Sequence, residues 1–397
     1  MKKGWEVRKL GEVLQKTETV NPLQTPDAEF QYIDVSSVSN LTFQIEKTQL
    51  LLGKNAPSRA RRLVKSDDVL FATIRPTLKR IALVPSYLDN QVCSTGYFVL
   101  RPKVEVDHRF VFYYLFTENF LSQMEKLQKG ASYPAVTDGD VRSQKIPFPP
   151  LPEQKRIVGI LDEAFAGIAK AKENTQKNLQ NARELYQSYL QRVFSNPGDG
   201  WKEKTLAQIA LEFGRGKSKH RPRGDIRLLG GKYPLIQTGE ISISAHWITD
   251  YLHTYNDQGL AQSKLWPQGT VCVAIVGANV AESAILGFDA CFPDSVIGIV
   301  VNDQVANNEY VEFLLQSFKV LLKEKGKGTA RDNINMGTFK NQKFPFPPVE
   351  EQKAIALRIN ALTIETQRLE ALYQQKLANL EELKQSLLQK AFAGELT

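Results

Sequence analysis

The chain is predicted to be an α+β protein with two mixed α/β domains in tandem, each followed by a long helix, the two helices pairing as an antiparallel coiled coil. Three observations predict this. An internal two-fold repeat runs through the 397 residues at an offset of 198, half the length. Each copy ends in a long helix-like run, roughly 60 Å at 1.5 Å per residue. Between these runs, short apolar stretches with strand character are mixed with amphipathic helical ones.

The repeat rests on three ordered blocks. "GWEVRKLGEVL" (Gly4 to Leu14) corresponds to "GWKEKTLAQIA" (Gly200 to Ala210). "KIPFPPLPEQKRIV" (Lys145 to Val158) corresponds to "KFPFPPVEEQKAIA" (Lys343 to Ala356). "LYQSYLQRVF" (Leu185 to Phe194) corresponds to "LKQSLLQKAF" (Leu383 to Phe392). The expected domains are 1–150, a first helix with its linker at 151–197, a second domain at 198–348 and a second helix at 349–397. Strands are expected in "DDVLFATIRP", "RIALVPS" and "GYFVLRP" of the first domain and in "GTVCVAIVGANV", "AILGF" and "SVIGIVVN" of the second. "RFVFYYLFTENFLSQMEKL" and "EYVEFLLQSFKVLLKEK" read as helices in corresponding places.

The first long helix is expected from about Pro152 to Phe194, stopped by "SNPGDG", and the second from about Val349 to Phe392, with Gly394 as its cap. Heptad-like spacing puts Leu362, Thr366, Leu369, Tyr373, Leu380, Leu383 and Leu387 on one seam of the second, interrupted by Lys376. The first has a looser pattern of Ile157, Leu161, Ile168, Leu179, Tyr186, Tyr189 and Val193 around the polar "KENTQKN". Pairing of the two helices is the expectation; packing of each back onto its own domain is the alternative.

The phrase "PFPPLPEQ" reads as a joint. Proline suits an extended lead-in and a first helical turn. Glu153 and Glu351 place a carboxylate where the helix dipole favours it. Phe148 and Phe346 are expected to pin the lead-in to its domain.

The net charge of +8 and pI near 9.1 favour a polyanionic partner, nucleic acid before an acidic membrane surface. Three cysteines (Cys93, Cys272, Cys291) without framework spacing suit a reducing compartment. The basic start "MKKGWEVRKL" has no apolar stretch behind it, and no apolar run is long enough to span a bilayer, so a soluble, cytoplasmic protein with no membrane association is expected.

Catalytic motifs are weighed and set aside. "Glu-Gln-Lys" (Glu153 to Lys155, Glu351 to Lys353) has the E-x-K spacing of a metal-dependent nuclease half-motif, but no Pro-Asp lies at a suitable distance upstream of the first copy. The phrase lacks the Asn or Asp before Pro-Pro, and the glycine-rich loop, of an adenine methyltransferase. "GRGKS" (Gly214 to Ser218) resembles the end of a phosphate-binding loop, but Leu211 stands where that loop needs glycine. His108, His220, His246 and His253 show no metal-ligand spacing with the cysteines, so no metal and no catalytic residue is expected.

The candidate nucleic-acid contacts are basic residues clustered in loops. The first domain offers Arg59, Arg61, Arg62, Arg75, Lys79 and Arg80, and the second Arg215, Lys217, Lys219, Arg221, Arg223, Lys325 and Lys327. Lys and Arg bind phosphates, whereas Arg on guanine and Asn on adenine read bases. Tyr133, Arg331 and Asn333 lie in comparable loops, "GASYPAVTDG" and "GTARDNINMG", just ahead of each joint. One scaffold with two unlike loop sets suggests a reader of a split, asymmetric DNA target. A structural or interaction scaffold without sequence-specific DNA binding is the alternative.

The tandem layout, the joints "PFPPLPEQKRIV" and "PFPPVEEQKAIA" and the helix ends "QSYLQRVF" and "QSLLQKAFAGEL" resemble the specificity subunit of Type I restriction-modification systems, over the whole chain. The resemblance implies that each domain is a target recognition domain (the first roughly Val20 to Ile146) and that the helices form an antiparallel coiled coil. It further implies that two methyltransferase subunits dock on the helical regions and that restriction subunits join them. S-adenosylmethionine, ATP and Mg are then expected in those partners, not in this chain. The first domain departs from the family pattern: "FQYIDVSSVS" (Phe30 to Ser39) stands where the second has "YPLIQTGEIS" (Tyr233 to Ser242).

Overall fold

The computed structural model describes residues 4–220, 225–326, 334 and 336–396, with side chains at all of these but 325–326. It divides into two compact units: Met1–Gln176 with Gln374–Thr397, and Lys177–Tyr373. The division cuts through both long helices, so each unit closes with the first part of one helix and the last part of the other.

In unit 1 the strands are β1 (Glu6–Lys9), β2 (Glu29–Ile33), β3 (Gln49–Leu52), β4 (Ala60–Val64), β5 (Val69–Ala72), β6 (Ile81–Leu83), β7 (Gln91–Ser94) and β8 (Tyr97–Leu100). Then come α1 (His108–Tyr114), α2 (Glu118–Leu127), α3 (Asp138–Arg142), β9 (Lys145–Phe148) and the start of α4 (Leu151–Ser195). Unit 2 follows with β10 (Lys202–Thr205), β11 (Ala210–Arg215), β12 (Leu229–Leu235), α5 (Thr238–Ile243), β13 (Trp247–Ile248), β14 (His253–Tyr255), α6 (Asp257–Ala261) and β15 (Leu265–Trp266). It continues with β16 (Val271–Ala274), β17 (Ser283–Leu286), β18 (Ala290–Cys291), β19 (Val296–Val301), α7 (Asn308–Ser317), α8 (Lys319–Gly326), α9 (Met336–Asn341), β20 (Lys343–Phe346) and α10 (Val349–Ala393).

Among the described residues, unit 1 carries a four-stranded sheet β3-β2-β7-β4 and a three-stranded sheet β6-β5-β8; unit 2 carries β14-β12-β18-β15 and β11-β19-β16-β17-β13. The frames correspond. Ile33 pairs in parallel with Cys93 in one, and Leu235 with Cys291 in the other. β5 and β16 are buried at every residue, which is why they read as unbroken apolar runs. The two predicted helical runs each divide in two. Thr117 explains the first break: its hydroxyl donates to the Tyr114 carbonyl and accepts from the Phe120 amide, so one residue ends α1 and caps α2.

The core of unit 1 joins Phe71, Phe98, Phe110 and Phe120 to Ile157 and Leu161 of α4 and to Leu388, Ala391 and Phe392 of α10. In unit 2 Val271, Ile297, Tyr310 and Phe339 meet Ala356 and Ile359 of α10 and Leu190 and Phe194 of α4. In each unit the helices run antiparallel. Arg156 donates to the Leu396 carbonyl and Lys172 lies 3.8 Å from Glu381 in unit 1; Arg183 lies 3.0 Å from Glu370 in unit 2. Both expectations therefore hold in part: the helices pair, and their ends also enter domain cores.

The seam differs from the predicted one. One line of buried or half-buried positions on α10 runs through Gln352, Ala356, Ile359, Thr363, Thr366, Glu370, Tyr373, Leu377, Leu380, Lys384, Leu387 and Ala391 in alternating steps of four and three, flanked by other covered residues such as Ile355, Asn360, Gln385 and Leu388. Thr366, Tyr373, Leu380 and Leu387 fall on it, and Leu362 sits beside it, half-buried. Leu369 and Leu383 are exposed and off it. Heptad geometry, not hydrophobicity, fixes the line, and Thr363, Thr366 and Glu370 make its middle polar. On α4, Ile157 and Leu161 are buried and Ile168 and Tyr189 half-buried. Gly394 takes φ +79°, and the Glu395 amide donates to the Lys390 carbonyl, the capping geometry expected of it.

The proline phrase has a role beyond a stiff lead-in. β9 pairs with β1 and β20 with β10, so each phrase zips onto the tryptophan-bearing start of its own copy. Phe148 and Phe346 are buried, as expected. The residue after Glu153 or Glu351 is a fully buried glutamine. Gln154 accepts from the Asp107 amide (2.9 Å) and donates to the carbonyls of Pro149 (2.8 Å) and Glu105 (3.3 Å). Gln352 accepts from the Asn307 amide (2.9 Å) and donates to the carbonyls of Pro347 (2.8 Å) and Val305 (3.3 Å). Asp107 and Asn307 are themselves the caps of α1 and α7. One side chain thus ties phrase, long helix and domain helix together. Sequence reasoning missed it because a glutamine flanked by charges reads as surface.

Candidate nucleic-acid interface

In each unit the turn ahead of the last sheet strand gathers the variable loops onto one rim. In unit 1 the Thr95 amide donates to the Arg59 carbonyl (2.9 Å), and the Thr73 amide to Gly96 (2.9 Å). Thr73 in turn accepts from the Val136 amide (3.0 Å), and the Arg75 amide donates to Pro134 (2.7 Å). The loop before β4, the β5–β6 turn and the segment before α3 are therefore neighbours, although they are far apart in sequence. In unit 2 the Gly216 amide donates to Val296 (2.9 Å), the Ile275 amide to Ser295 (3.0 Å) and the Ile334 amide to Ile275 (3.0 Å). The same hub there assembles the "GRGKS" loop, the β16–β17 turn and the segment reaching Ile334.

The predicted residues fall on these rims in different states. Arg59 and Arg75 are exposed, and Lys79 is half-buried. Arg61 donates to its neighbour's carbonyl, Ala60 (2.9 Å). Arg62 pairs with Asp138 at 2.8 Å, and Arg80 donates to the carbonyls of Val35, Ser36 and Val38. Those two guanidinium groups brace loops of the domain itself. Tyr133 is 72% exposed, with the Arg75 guanidinium carbon 5.2 Å from its ring centre. Below it, Thr137 caps α3; the bonds it donates to Asp140 hold that carboxyl below its ordinary range.

In unit 2 Arg215 ends β11 exposed, and Lys217 and Lys219 are exposed beyond it. Gly216 between them admits no side chain, since a Cβ there would stand 2.2 Å from the Phe292 carbonyl. Among the described residues the strand runs into an irregular loop at 216–220, and no helix follows directly on "GRGKS" there. Arg221, Arg223, Lys327, Arg331 and Asn333 lie outside the described residues, as does the side chain of Lys325. Sequence reasoning missed the Thr95–Gly96 and Ser295–Val296 hubs and the turn Gly277–Asn279, none of which carries a charge.

Among the described residues no group of three or more His, Cys, Asp or Glu is placed to hold a metal ion, and no helix is long and apolar enough to cross a membrane. The three cysteines are free and buried; burial pushes the Cys93 thiol up to about 12.

Two equivalent frames with unlike basic rims, each closed by parts of two antiparallel helices, define a nucleic-acid reader with two recognition domains as the class. The family model described as the Type I restriction modification DNA specificity domain matches residues 2–180 and again 198–381, and the chain belongs to that family. It is 29% identical to a chain from a structural study of complex assembly and conformational transition in the type I R-M system, with a TM-score of 0.87 over 100% of this chain and 99% of that one. It is also 29% identical to the HsdS subunit of Thermoanaerobacter tengcongensis, with a TM-score of 0.72 over 99% and 98% of the two chains. The type I restriction enzyme EcoKI specificity subunit of Escherichia coli K12 is 23% identical over 77% of this chain and 69% of its own.

Proposed function

We propose that this chain is the DNA sequence-specificity subunit of a Type I restriction-modification complex, reading an asymmetric, bipartite double-stranded site with one half assigned to each unit. The observation that carries this is the pair of rims: two of the backbone bonds that hold each are equivalent, Thr73 to Gly96 and Val136 to Thr73 in one, Ile275 to Ser295 and Ile334 to Ile275 in the other, and the side chains displayed differ. A scaffold with no target would have no use for two different loop sets on one frame. The chain is a non-catalytic subunit in this reading. Two methyltransferase subunits dock on its helical regions, restriction subunits join them, and these partners bring S-adenosylmethionine, ATP and Mg in the cytoplasm. The exposed cations of the rims neutralise phosphates, so binding weakens steeply with salt.

The test is a methylome. The cognate methyltransferase subunit is expressed with and without this chain in a host lacking adenine methylation, and modified bases are read by sequencing. A split motif methylated only when the chain is present is the expected result. Methylation of no motif, with the assembled complex demonstrated, would leave a scaffold without specificity.

A further inference from the structure

The turns between β5 and β6 and between β16 and β17 have the same length and close on the same register, Phe71↔Ile81 and Val273↔Ser283. Both place left-handed residues at their ends: Arg75 (φ +50°) and Lys79 (φ +53°) in unit 1, Gly277 (φ +72°) and Ala281 (φ +65°) in unit 2. At the first of these positions unit 2 has glycine, which adopts the conformation freely. Unit 1 has arginine, which does not. The turn itself disfavours Arg75, so its side chain is kept for something else.

What that side chain does is visible. It is exposed, lies over the Tyr133 ring at 5.2 Å and donates to the Ser132 carbonyl at 3.4 Å. Among the described residues no carboxylate pairs with it. Tyr133 is itself carried by a hairpin closed by the Lys129↔Ala135 bridge, with Gly130 at φ +100°, and the Arg75 amide is tied to that hairpin through Pro134. A planar cation with unused donors is thus stacked beforehand on an exposed aromatic plane, held by two loops that bond to each other. Such stacking removes rotamer freedom that binding would otherwise have to remove.

Resting on the specificity-subunit reading, we infer that Arg75 is the residue with which unit 1 reads a guanine of its half-site. The guanidinium fork matches the O6 and N7 acceptors that guanine shows in the major groove, and Tyr133 fixes the plane of the fork. Lys79, at the other end of the turn, is a point charge suited to a phosphate.

The experiment uses the full chain assembled with its methyltransferase subunit, carrying Arg75→Gly, Arg75→Lys or Tyr133→Ala, with methylated motifs read by sequencing. In Arg75→Gly and Arg75→Lys, one guanine of one half-site becomes degenerate, its discrimination falling by about ten- to a hundredfold. The other half-site stays as it was, and Tyr133→Ala loosens the same position less. Arg75→Gly keeps the fold out of question, because glycine is what unit 2 uses at this place; its melting temperature stays level or rises. An unchanged motif in Arg75→Gly, at full or uniformly reduced methylation, overturns the inference and leaves Arg75 a phosphate contact or a bystander. If the unsubstituted complex yields no split motif, the specificity-subunit reading itself is overturned, and the inference with it.

Discussion

At the joints, Gln154 and Gln352 make the same three hydrogen bonds to equivalent partners, with matching lengths. At the rims, the same turn displays Arg75, Thr77 and Leu78 in unit 1 and Gly277, Ala278 and Asn279 in unit 2. The joint is buried and the rim exposed, and that difference in environment accounts for the difference in divergence. A change at Gln154 leaves an amide and two carbonyls without partners inside the protein, a cost that burial makes large. A change at Arg75 alters what the domain displays while the turn survives.

The largest expected effect breaks the equivalence if it fails. Phe392 packs on Phe110 (4.8 Å between ring centres) and Phe194 on Tyr310 (5.3 Å), so the end of α10 completes a core far from it in sequence and the end of α4 the core of the domain that follows it. Phe392→Ala and Phe194→Ala should each lose about 3–4 kcal/mol in denaturant unfolding. Hydrogen exchange should show the first loosening β5 and β8 of unit 1 and the second loosening β16 and β19 of unit 2. Loosening of the unit that does not contain the substituted residue would refute the assignment of helix ends to cores.

Next come the glutamines. Gln154→Leu and Gln352→Leu are each expected to lose about 2–3 kcal/mol, through unsatisfied backbone groups rather than lost packing. Near-equal losses sharpen the comparison; a harmless change at one joint alone would break it.

The turns give a smaller, oppositely signed pair. Arg75→Gly should be neutral or gain up to about 1 kcal/mol, and Gly277→Ala should lose about 1 kcal/mol, since its added Cβ meets no atom within 4 Å and only the backbone is strained. Thermal melts of both variants check the signs.

The smallest effect concerns Cys93 and Cys291, which sit at equivalent places on β7 and β18. Burial raises both thiols above their ordinary range. Raised groups lose protons only as pH passes the higher value, so at pH 8 the Cys93 thiolate, at about 12, is on the order of one part in ten thousand. The Ser263 hydroxyl beside Cys291 offsets part of its rise. A thiol reagent should leave the native protein nearly unmodified and, under mild denaturant, reach Cys291 before Cys93.

Local patterns made much of this molecule legible in advance. The repeat, both joints, the limits of α4 and α10 to within about two residues and six of the strands follow from spacing, proline placement and apolar runs, because these express local backbone preferences. β2, β3, β4 and β7 were not foreseen, since short, half-exposed strands such as "QLLL" and "ARRLV" mark themselves only once they pair. Of the interface, the sequence showed which loops were charged but not which cations the protein binds itself: only folding brings Asp138 to Arg62 and the Val38 carbonyl to Arg80.

By itself, then, the sequence determined a two-copy chain of α/β domains and long helices, with the family it resembles. Tertiary structure alone decided that Thr363 and Glu370, not Leu369 and Leu383, lie on the seam, that a polar glutamine is fully buried in each joint, and that the core of unit 1 is completed by the far end of α10. These depend on which surfaces meet across long sequence separations, and burial is a property of the pair of surfaces, not of either stretch of sequence alone.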